Sequence, residues 1–357
     1  PRSVATGAEG PPGGPETFNT RNGTMRVGIV GAGAIAQLAH LPVLSKMRGV
    51  ELAALCDNDF AKARALGERF GIRDASTDID ELLENGPFDL VVVTTPNHLH
   101  EAHVQRLLAA RTNVFCERPL SLSGKGVEKL LATAKKTAAK VFVGNNPRFR
   151  SDVQLLAGFL GGGELGALRG VRAGAYHPRG AMAGWRASRP EAGGGAFLEH
   201  GWALLDLALW LSNFPPITRV HAHMDRPRGA KAVEHAMLAV LEAADGTSFS
   251  FDVTWSYVGT QERWWFETIG ERGSARLNPL RVIKELNGRA VEVSPSGGTA
   301  RESVFLQSYR AQHAHVQAVL AGSAPYEAPD DQVRVARVLA AVYESAEGGS
   351  EVALDRA

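Results

Sequence analysis

The residues best placed to do chemistry lie in a glycine-rich turn near the start of the chain. An apolar run, Val27 to Val30, ends in Gly31-Ala-Gly-Ala-Ile-Ala36 and continues into a helical pattern. Gly31 allows a tight turn, Gly33 lets the backbone approach a pyrophosphate, and the small Ala36 lets the helix pack on the strand. The start of the helix also offers unpaired N–H groups to phosphates. This strand, turn and helix predict a dinucleotide-binding site.

A second apolar run supports this prediction through the residue that follows it. The run Val50-Glu-Leu-Ala-Ala-Leu-Cys56 ends in Asp57, where an acidic side chain can accept hydrogen bonds from the adenosine ribose. No basic residue follows directly, because Lys62 and Arg64 come later, so we expect NAD rather than NADP. The alternative is that Asp57 caps the helix predicted over residues 60–70.

Apolar runs and helical patterns alternate from residue 25 to about 146. The apolar runs are 26–31, 51–56, 89–94, 113–116 and 140–143, and the helical patterns lie near 60–70, 78–84, 100–110 and 123–139. Because buried parallel strands read as continuous apolar runs, this alternation predicts an α/β fold, a doubly wound parallel sheet of the Rossmann type. Ser123 is expected to cap the last of these helices.

The pattern changes after residue 146. Helices are predicted over 151–161, 195–212 and 331–346, and strands over 167–176, 217–225, 234–242, 247–256, 262–270 and 281–286. Strands joined by short polar turns favour an α+β domain over residues 147–357, with an open, mostly antiparallel sheet. Since one face of such a sheet needs covering, we expect a homo-oligomer, a dimer or tetramer, through this sheet.

The composition is that of an ordinary globular protein, with 44% hydrophobic and 22% charged residues. The net charge of +1 over 357 residues gives no case for nucleic acid or a membrane surface, and no apolar run is long enough to span a bilayer. Cys56 and Cys116 are interpreted as small buried residues in a reducing compartment, so we expect a cytoplasmic protein. The Pro- and Gly-rich residues 1–24 are expected to form a flexible arm.

Further motifs follow the later apolar runs, at the carboxyl ends of parallel strands, where ligands bind in such sheets. They are Thr94-Thr-Pro-Asn-His-Leu-His100, Cys116-Glu-Arg-Pro-Leu120, Asn145-Asn-Pro-Arg-Phe149, Gly184-Trp-Arg186, Gly193-Gly-Gly195 and Tyr343-Glu-Ser-Ala346. Together with the glycine turn, they resemble the family of glucose–fructose oxidoreductase, inositol dehydrogenase and rhizopine-catabolism proteins (Gfo/Idh/MocA). The resemblance covers roughly residues 25–354.

The resemblance implies an NAD(P)-dependent oxidoreductase that transfers a hydride to or from a sugar, cyclitol or related polyol. It assigns the pyrophosphate to Gly31, Gly33, Ala34 and Ile35, and the ribose to Asp57. The nicotinamide side would be lined by Thr95, Pro96, Asn97, His100, Glu117 and Arg118, and the pocket would be closed by Asn145, Trp185 and Arg186.

The chain departs from the family's pattern at positions that bear on mechanism. Arg118 replaces the lysine of the usual Glu-Lys-Pro, and the usual Asp-x-Gly-x-His-x-x-Asp reads Glu199-His-Gly-Trp-Ala-Leu-Leu-Asp206, with Ala203 at the histidine position. Ala203 cannot accept a proton, and arginine effectively cannot lose one. We therefore expect an altered acid–base set, with Arg118, Glu199 and His200 as catalytic candidates. The alternatives are a salt bridge from Arg118 to Glu117, and structural roles for the other two.

Four further residues are candidate substrate contacts. They are Tyr176, His177, Trp202 and Asp206. Tyr176 and His177 end a predicted strand before the Gly-rich loop, and at 100° per residue positions 199, 203 and 206 share one helix face. Trp202 is either a sugar-stacking platform or a core side chain.

The histidines raise the question of a metal. His98, His100 and His103 are spaced like ligands, but His100 fits the family's cofactor side, so we expect no metal. The pairs 221/223 and 313/315 lack nearby carboxylates in the sequence and are expected at the surface.

Two other functions stay open on this sequence. A lyase or hydrolase with bound NAD would oxidise and re-reduce its sugar transiently, without net NADH. A non-catalytic NAD-binding sugar sensor would suit the missing lysine and histidine.

Overall fold

The structure is a computed structural model that describes residues 23–180, 183–229, 231–295 and 303–355. All but the last two residues of the arm expected over 1–24 lie outside the described residues. Among the described helices, none combines the length and the apolar character needed to cross a membrane.

The N-terminal half forms a six-stranded parallel sheet. Its strands are β1 (Met25–Val30), β2 (Val50–Cys56), β3 (Asp74–Ser76), β4 (Leu90–Val93), β5 (Val114–Cys116) and β6 (Val141–Val143). Their order is β3-β2-β1-β4-β5-β6, so the strand order reverses between β1 and β4, where ligands bind in such sheets. Residues of β4 are buried on both faces, which explains its continuous apolar run. The doubly wound parallel sheet is confirmed; the short β3 was not predicted.

Helices connect these strands and carry the expected caps. They are α1 (a π-helical turn Ala36–His40 followed by Leu41–Leu44), α2 (Phe60–Phe70), α3 (Ile79–Glu84), α4 (Asn97–Ala109) and α5 (Gly124–Thr137). The Ser123 side chain accepts from the backbone N–H of Gly126 at the start of α5, as predicted. Asp59, rather than Asp57, caps α2 by accepting from Lys62 N, so the cap alternative for Asp57 is wrong.

The second half is built on a nine-stranded sheet. Its strands are β7 (Leu168–Pro178), β8 (Ile217–Asp225), β9 (Ala236–Ala243), β10 (Ser248–Tyr257), β11 (Arg263–Gly270), β12 (Gly273–Leu277), β13 (Arg281–Leu286), β14 (Arg289–Glu292) and β15 (Val352–Ala353). The order is β14-β13-β12-β11-β7-β10-β9-β8-β15. Within the described strands of this second sheet, only the pairing of β7 with β10 is parallel, so the mostly antiparallel sheet is confirmed.

Some of the remaining helices cover one face of this sheet, and one of them returns to the N-terminal parallel sheet. They are α6 (Ser151–Gly161), α7 (Arg189–Ala192), α8 (a π-helical segment Phe197–Gly201 followed by Trp202–Leu211), α9 (Val304–Leu320) and α10 (Asp331–Gly348). Helices α8 and α10 pack on the inner face of the sheet. The outer face carries exposed apolar side chains on several strands, including Leu238 and Val240 of β9, Ile269 of β11 and Ile283 of β13.

Helix α9 was not predicted, and it packs against the N-terminal sheet rather than the nine-stranded sheet. Val316, Val319 and Leu320 belong to the same buried cluster as Val27 and Ile29 of β1. A boundary drawn at 146/147 in chain order therefore does not describe α9, which returns to the N-terminal sheet and reaches the site described next.

Candidate functional site

A cavity of about 620 Å³ opens at the carboxyl ends of β1, β2, β4 and β5. Its phosphate-side lining includes Gly31, Gly33, Ala34, Ile35 and Asp57. The part predicted for the nicotinamide is lined by Thr95, Pro96, Asn97, His100, Glu117 and Arg118. Trp185, Arg186 and Glu199 line it from the second half of the chain. The fold thus brings these fourteen predicted residues, which are scattered through the sequence, to one cavity.

The glycine turn fits a diphosphate by its shape. Gly31 has φ +100°, and a Cβ there would lie 2.8 Å from the backbone carbon of Thr94, so a side chain cannot be accommodated. At Gly33, a Cβ would meet only the Thr94 oxygen, at 3.9 Å, and would occupy the cavity instead. The backbone beside the start of α1 is therefore open to a phosphate group.

Asp57 stands at the end of β2 and is held by three donors. Its Oδ2 accepts from Ala32 N at 2.7 Å, and its Oδ1 accepts from Asp59 N at 3.0 Å. Lys62 Nζ lies 2.8 Å from the same Oδ1. The carboxylate thus ties the glycine turn to the next loop at the lining of the cavity.

Glu117, directly after β5, is the centre of a buried polar network. Its Oε1 lies 2.8 Å from His40 Nε2 and accepts from Tyr309 OH at 3.2 Å. His40 Nδ1 in turn lies 2.9 Å from Nε2 of His313. Burial raises the pKa of Glu117, but the hydrogen bond and charge of His40 outweigh it, and the net pKa is lowered. Glu117 therefore stays an anion below the cofactor cavity.

The network spans three elements that are far apart in the sequence. His40 ends the π-helical turn of α1, whereas Tyr309 and His313 lie on α9. Burial, and then the charge of His40, lowers the pKa of His313 well below its usual value, so His313 is neutral. The surface position expected for His313 is wrong, because the side chain is 1% exposed; His315, His221 and His223 are exposed.

Arg118 does not make the salt bridge to Glu117 that was the alternative for it. Its guanidinium donates to the Leu198 carbonyl oxygen at 3.4 Å and lies 5.8 Å from the centre of the Trp202 ring. Arg118 therefore extends from the first half of the chain towards α8. Its positive charge lies at the boundary between the cofactor part of the cavity and the second half.

Glu199 reaches the cavity because the start of α8 is held rigidly from below. Glu234, 2% exposed, accepts from Gly195 N at 2.8 Å and from Phe197 N at 3.0 Å. A Cβ on Gly195 would lie 2.1 Å from the Glu234 carbonyl oxygen, so this approach needs glycine. Glu199 then lies in the π-helical segment, with Oε1 3.4 Å from Arg186 Nε.

His200 faces away from the cofactor cavity and stacks on His177. The ring centroids are 3.6 Å apart with 17° between the planes. Burial, reinforced by neighbouring cations, lowers the pKa of His200 to about 3. His200 is therefore a neutral imidazole, and His177 is itself paired with Glu262 at 3.1 Å.

Three of the residues predicted to contact the substrate lie outside the cofactor cavity. Tyr176 lies on the outer face of the sheet, where its hydroxyl donates to Asp252, because successive strand residues point to opposite faces and His177 takes the inner one. Trp202 is 2% exposed in the core. Asp206, 1% exposed, forms a buried ion pair with Arg148 at 2.5 Å. None of the three lines the cofactor cavity.

Asn145, predicted on the cofactor side, is buried at the end of β6. Its Nδ2 lies 3.5 Å from an oxygen of Asp206, and its Oδ1 has no hydrogen-bond partner among the described residues. Asn145 is 6% exposed and is not among the residues that line the cofactor cavity.

The remaining histidines near the cavity bind protein groups. His100 has its two ring nitrogens 2.8 Å from the carbonyl oxygens of Pro119 and Thr95, and burial lowers its pKa. His103 Nδ1 lies 3.1 Å from the Thr95 hydroxyl. Within the described ranges, no group of three or more His, Cys, Asp or Glu side chains is arranged to hold a metal ion.

Four residues of the site were missed: His40, Glu234, Tyr309 and His313. Glu234 lies in a polar loop, and the other three lie on helices whose packing depends on tertiary contacts. A histidine inside an apolar helical pattern was the one signal present for His40.

Comparison with known proteins finds family models that match both halves of the chain. Residues 25–145 match an oxidoreductase family with an NAD-binding Rossmann fold, and residues 153–276 match the GFO/IDH/MocA C-terminal domain. A D-glucoside 3-dehydrogenase of Escherichia coli is 27% identical over 353 residues, 92% of this chain and 97% of that protein. An inositol 2-dehydrogenase of an Arthrobacter species is 35% identical over 41% of this chain and 43% of its own length.

A solved structure extends the comparison to the cofactor. GenD2 from gentamicin A biosynthesis, in complex with NAD, superposes with a TM-score of 0.80 at 29% identity, covering 93% of this chain and 97% of that one. The open glycine turn and the Asp57 carboxylate beside it fit the same cofactor. The chain belongs to the Gfo/Idh/MocA family of NAD-dependent oxidoreductases.

Proposed function

We propose that the protein oxidises a CH–OH group of a sugar or related polyol, or reduces the corresponding ketone, with an altered acid–base set. NAD, when bound, accepts the hydride. The observation that carries the proposal is that Glu199 and Arg186 close, from the second half of the chain, the same cavity that holds the glycine turn and Glu117. A sugar hydroxyl that enters beside Glu199 therefore meets the cofactor end of the cavity. The sugar and inositol dehydrogenase activities of its relatives support this class of substrate.

Glu199 is the proton acceptor in this proposal. Its carboxylate lines the cavity, with 26% of the side chain exposed, and Arg186 holds it at 3.4 Å. As the hydride leaves carbon, the hydroxyl proton passes to a Glu199 oxygen, and the C–O bond becomes a carbonyl. Atoms and charge balance, because the substrate loses one hydride and one proton.

Arg118 assists without exchanging that proton, whereas His200 faces away from the cofactor cavity and takes no part in the transfer. Arginine remains charged, so Arg118 stabilises the negative charge that develops on the substrate oxygen. His200 is kept neutral, with a pKa of about 3, and its stacked partner His177 does not line the cofactor cavity.

The test follows absorbance at the nicotinamide band: NADH forms from NAD with a panel of sugars and inositols, or NADH is consumed with their keto forms. Glu199→Gln should lower kcat by about 100- to 10,000-fold, the range for a lost general base, while NAD binding measured by calorimetry stays unchanged. Glu68→Gln, on an exposed ion pair of α2, is the control and should keep full activity.

Two outcomes would replace the proposal with another function. A product that forms without net NADH, and is lost when NAD is stripped, would make the protein a lyase or hydrolase. Tight NAD and sugar binding without any turnover would make it a sensor.

We also propose a cytoplasmic homo-oligomer that pairs through the nine-stranded sheet. Leu238 and Val240 are 50% and 46% exposed on its outer face, and covering them would remove apolar surface from water. The buried free thiols Cys56 and Cys116 suit a reducing compartment. Light scattering on the purified protein would give a monomer mass if the pairing is absent.

A further inference from the structure

A second cavity, of about 780 Å³, lies beside the candidate active site. It is formed by the segment after β6, the ends of β7 and β11 that face it, and the first turn of α9. None of the proposed catalytic steps uses it. Its size falls in the range of pockets that bury a ligand larger than one sugar ring.

The two cavities share a wall. On α9, Tyr309 lines the first cavity and the preceding residue, Ser308, lines the second. His177 lines the second cavity and stacks on His200, whose neighbour Glu199 lines the first. The stacked histidines therefore lie between the Glu199 side of the first cavity and the second cavity.

One side of the second cavity is apolar although it faces solvent. Leu155, Val304 and Phe305 line it and are 47%, 43% and 45% exposed. The Phe305 ring is positioned by Tyr309, one helical turn later, with ring centroids 5.0 Å apart. An exposed ring at the rim of a cavity offers a flat surface on which the apolar face of a sugar or an aromatic group can pack.

The charged side chains of this cavity balance one another. Arg150 is neutralised by Asp152 at 2.7 Å, and Glu262 pairs with His177. With Arg263 added, the lining holds two arginines and two carboxylates. A diphosphate would need a surplus of positive charge, so this lining favours a neutral occupant over a nucleotide.

We propose that the second cavity binds the neutral part of a glycoside that lies beyond the reacting sugar ring, so that the preferred substrates are glycosides rather than free sugars. This inference rests on the proposed function and narrows its substrate class. The occupant is either a second sugar or an apolar aglycone, since both present a flat apolar face and no charge.

The experiment compares a free hexose, a disaccharide of that hexose and its phenyl glycoside as substrates, with NAD. The disaccharide or the phenyl glycoside should have the higher kcat/KM, and which of them is preferred identifies the occupant. Phe305→Ala should lower that preference roughly 2- to 12-fold and leave the hexose unaffected. Leu155→Ala is a second variant in the same wall, and Val258→Ala, 83% exposed outside both cavities, is the control.

Two results would overturn the proposal: a hexose used as well as either glycoside, or Phe305→Ala lowering kcat/KM equally for all three. If no sugar is turned over, the proposed function fails separately. Calorimetry with the same three ligands in the presence of NADH then decides the subsite, because Phe305→Ala must still weaken binding of the glycosides alone.

Discussion

Replacing Asp57 by asparagine tests how the site chooses its cofactor. The Asp57 carboxylate accepts from Ala32 N at 2.7 Å and pairs with Lys62 at 2.8 Å. Asparagine keeps an oxygen for the Ala32 N–H, so the glycine turn should survive. It removes the charge, and with it the partner that holds the Lys62 ammonium.

The magnitude follows from these contacts. A hydrogen bond to a charged group contributes about 1.5–3 kcal/mol, so losing the ribose contact should weaken NAD binding by about 10- to 150-fold. For NADP, the change removes repulsion of the 2′-phosphate and leaves Lys62 to bind it. A gain of only ~1.4 kcal/mol would strengthen NADP binding about tenfold.

Calorimetric titration of both nucleotides measures the outcome. Asp57→Asn should reverse or abolish the preference for NAD, and adding Lys62→Met should remove the gain for NADP. Asp78→Asn controls for general loss of negative charge, because Asp78 lines the same cavity but caps α3. An unchanged ratio of the two affinities in Asp57→Asn, or an equal shift in the control, would refute the assignment of Asp57 to the ribose.

Two further predictions concern stability and use chemical denaturation. The lowered pKa of Glu117 stabilises the fold fully above its usual value of 4.5, and this stabilisation is lost as the pH falls through the lower folded-state pKa. The difference in unfolding free energy between wild type and Glu117→Gln should therefore shrink below pH 4.5, and a constant difference would contradict it. Arg148→Ala should cost about 3–5 kcal/mol, because it leaves the buried Asp206 unpaired; Arg148→Lys should cost less, and equal losses would contradict a role for the charge.

Much of the fold could be predicted from the sequence because buried strands and helices need apolar residues at regular positions. β4 is buried throughout, and its apolar run predicts it within a residue. β3 is only three residues long, and β14 is fully exposed, so neither has such a pattern. Helix α9 was missed although its first turn is capped by Ser303, because its apolar stripe is broken by buried polar side chains such as Gln312 and His313.

The cofactor side of the site was largely predictable and the polar network below it was not. The glycine turn and Asp57 belong to a local strand–turn–helix pattern. The contacts of His40 with Glu117 and with His313 join residues 77 and 273 positions apart, and no spacing rule connects them. These contacts form because helix α9 packs against the N-terminal sheet.

Helix α8, which carries Glu199, shows why the prediction of one shared helix face for positions 199, 203 and 206 failed. An α-helix would place positions 199, 203 and 206 on one face, but the segment Phe197–Gly201 is π-helical, with Trp202 N bonded to Phe197 O. The wider turn takes up an additional residue. Glu199 therefore faces the cavity, whereas Ala203 packs against the hydrophobic core and Asp206 reaches Arg148. Ala203 is half-buried and has no side-chain group that accepts a proton, so we assign that role in the proposed reaction to Glu199, the carboxylate of this helix that lines the cavity.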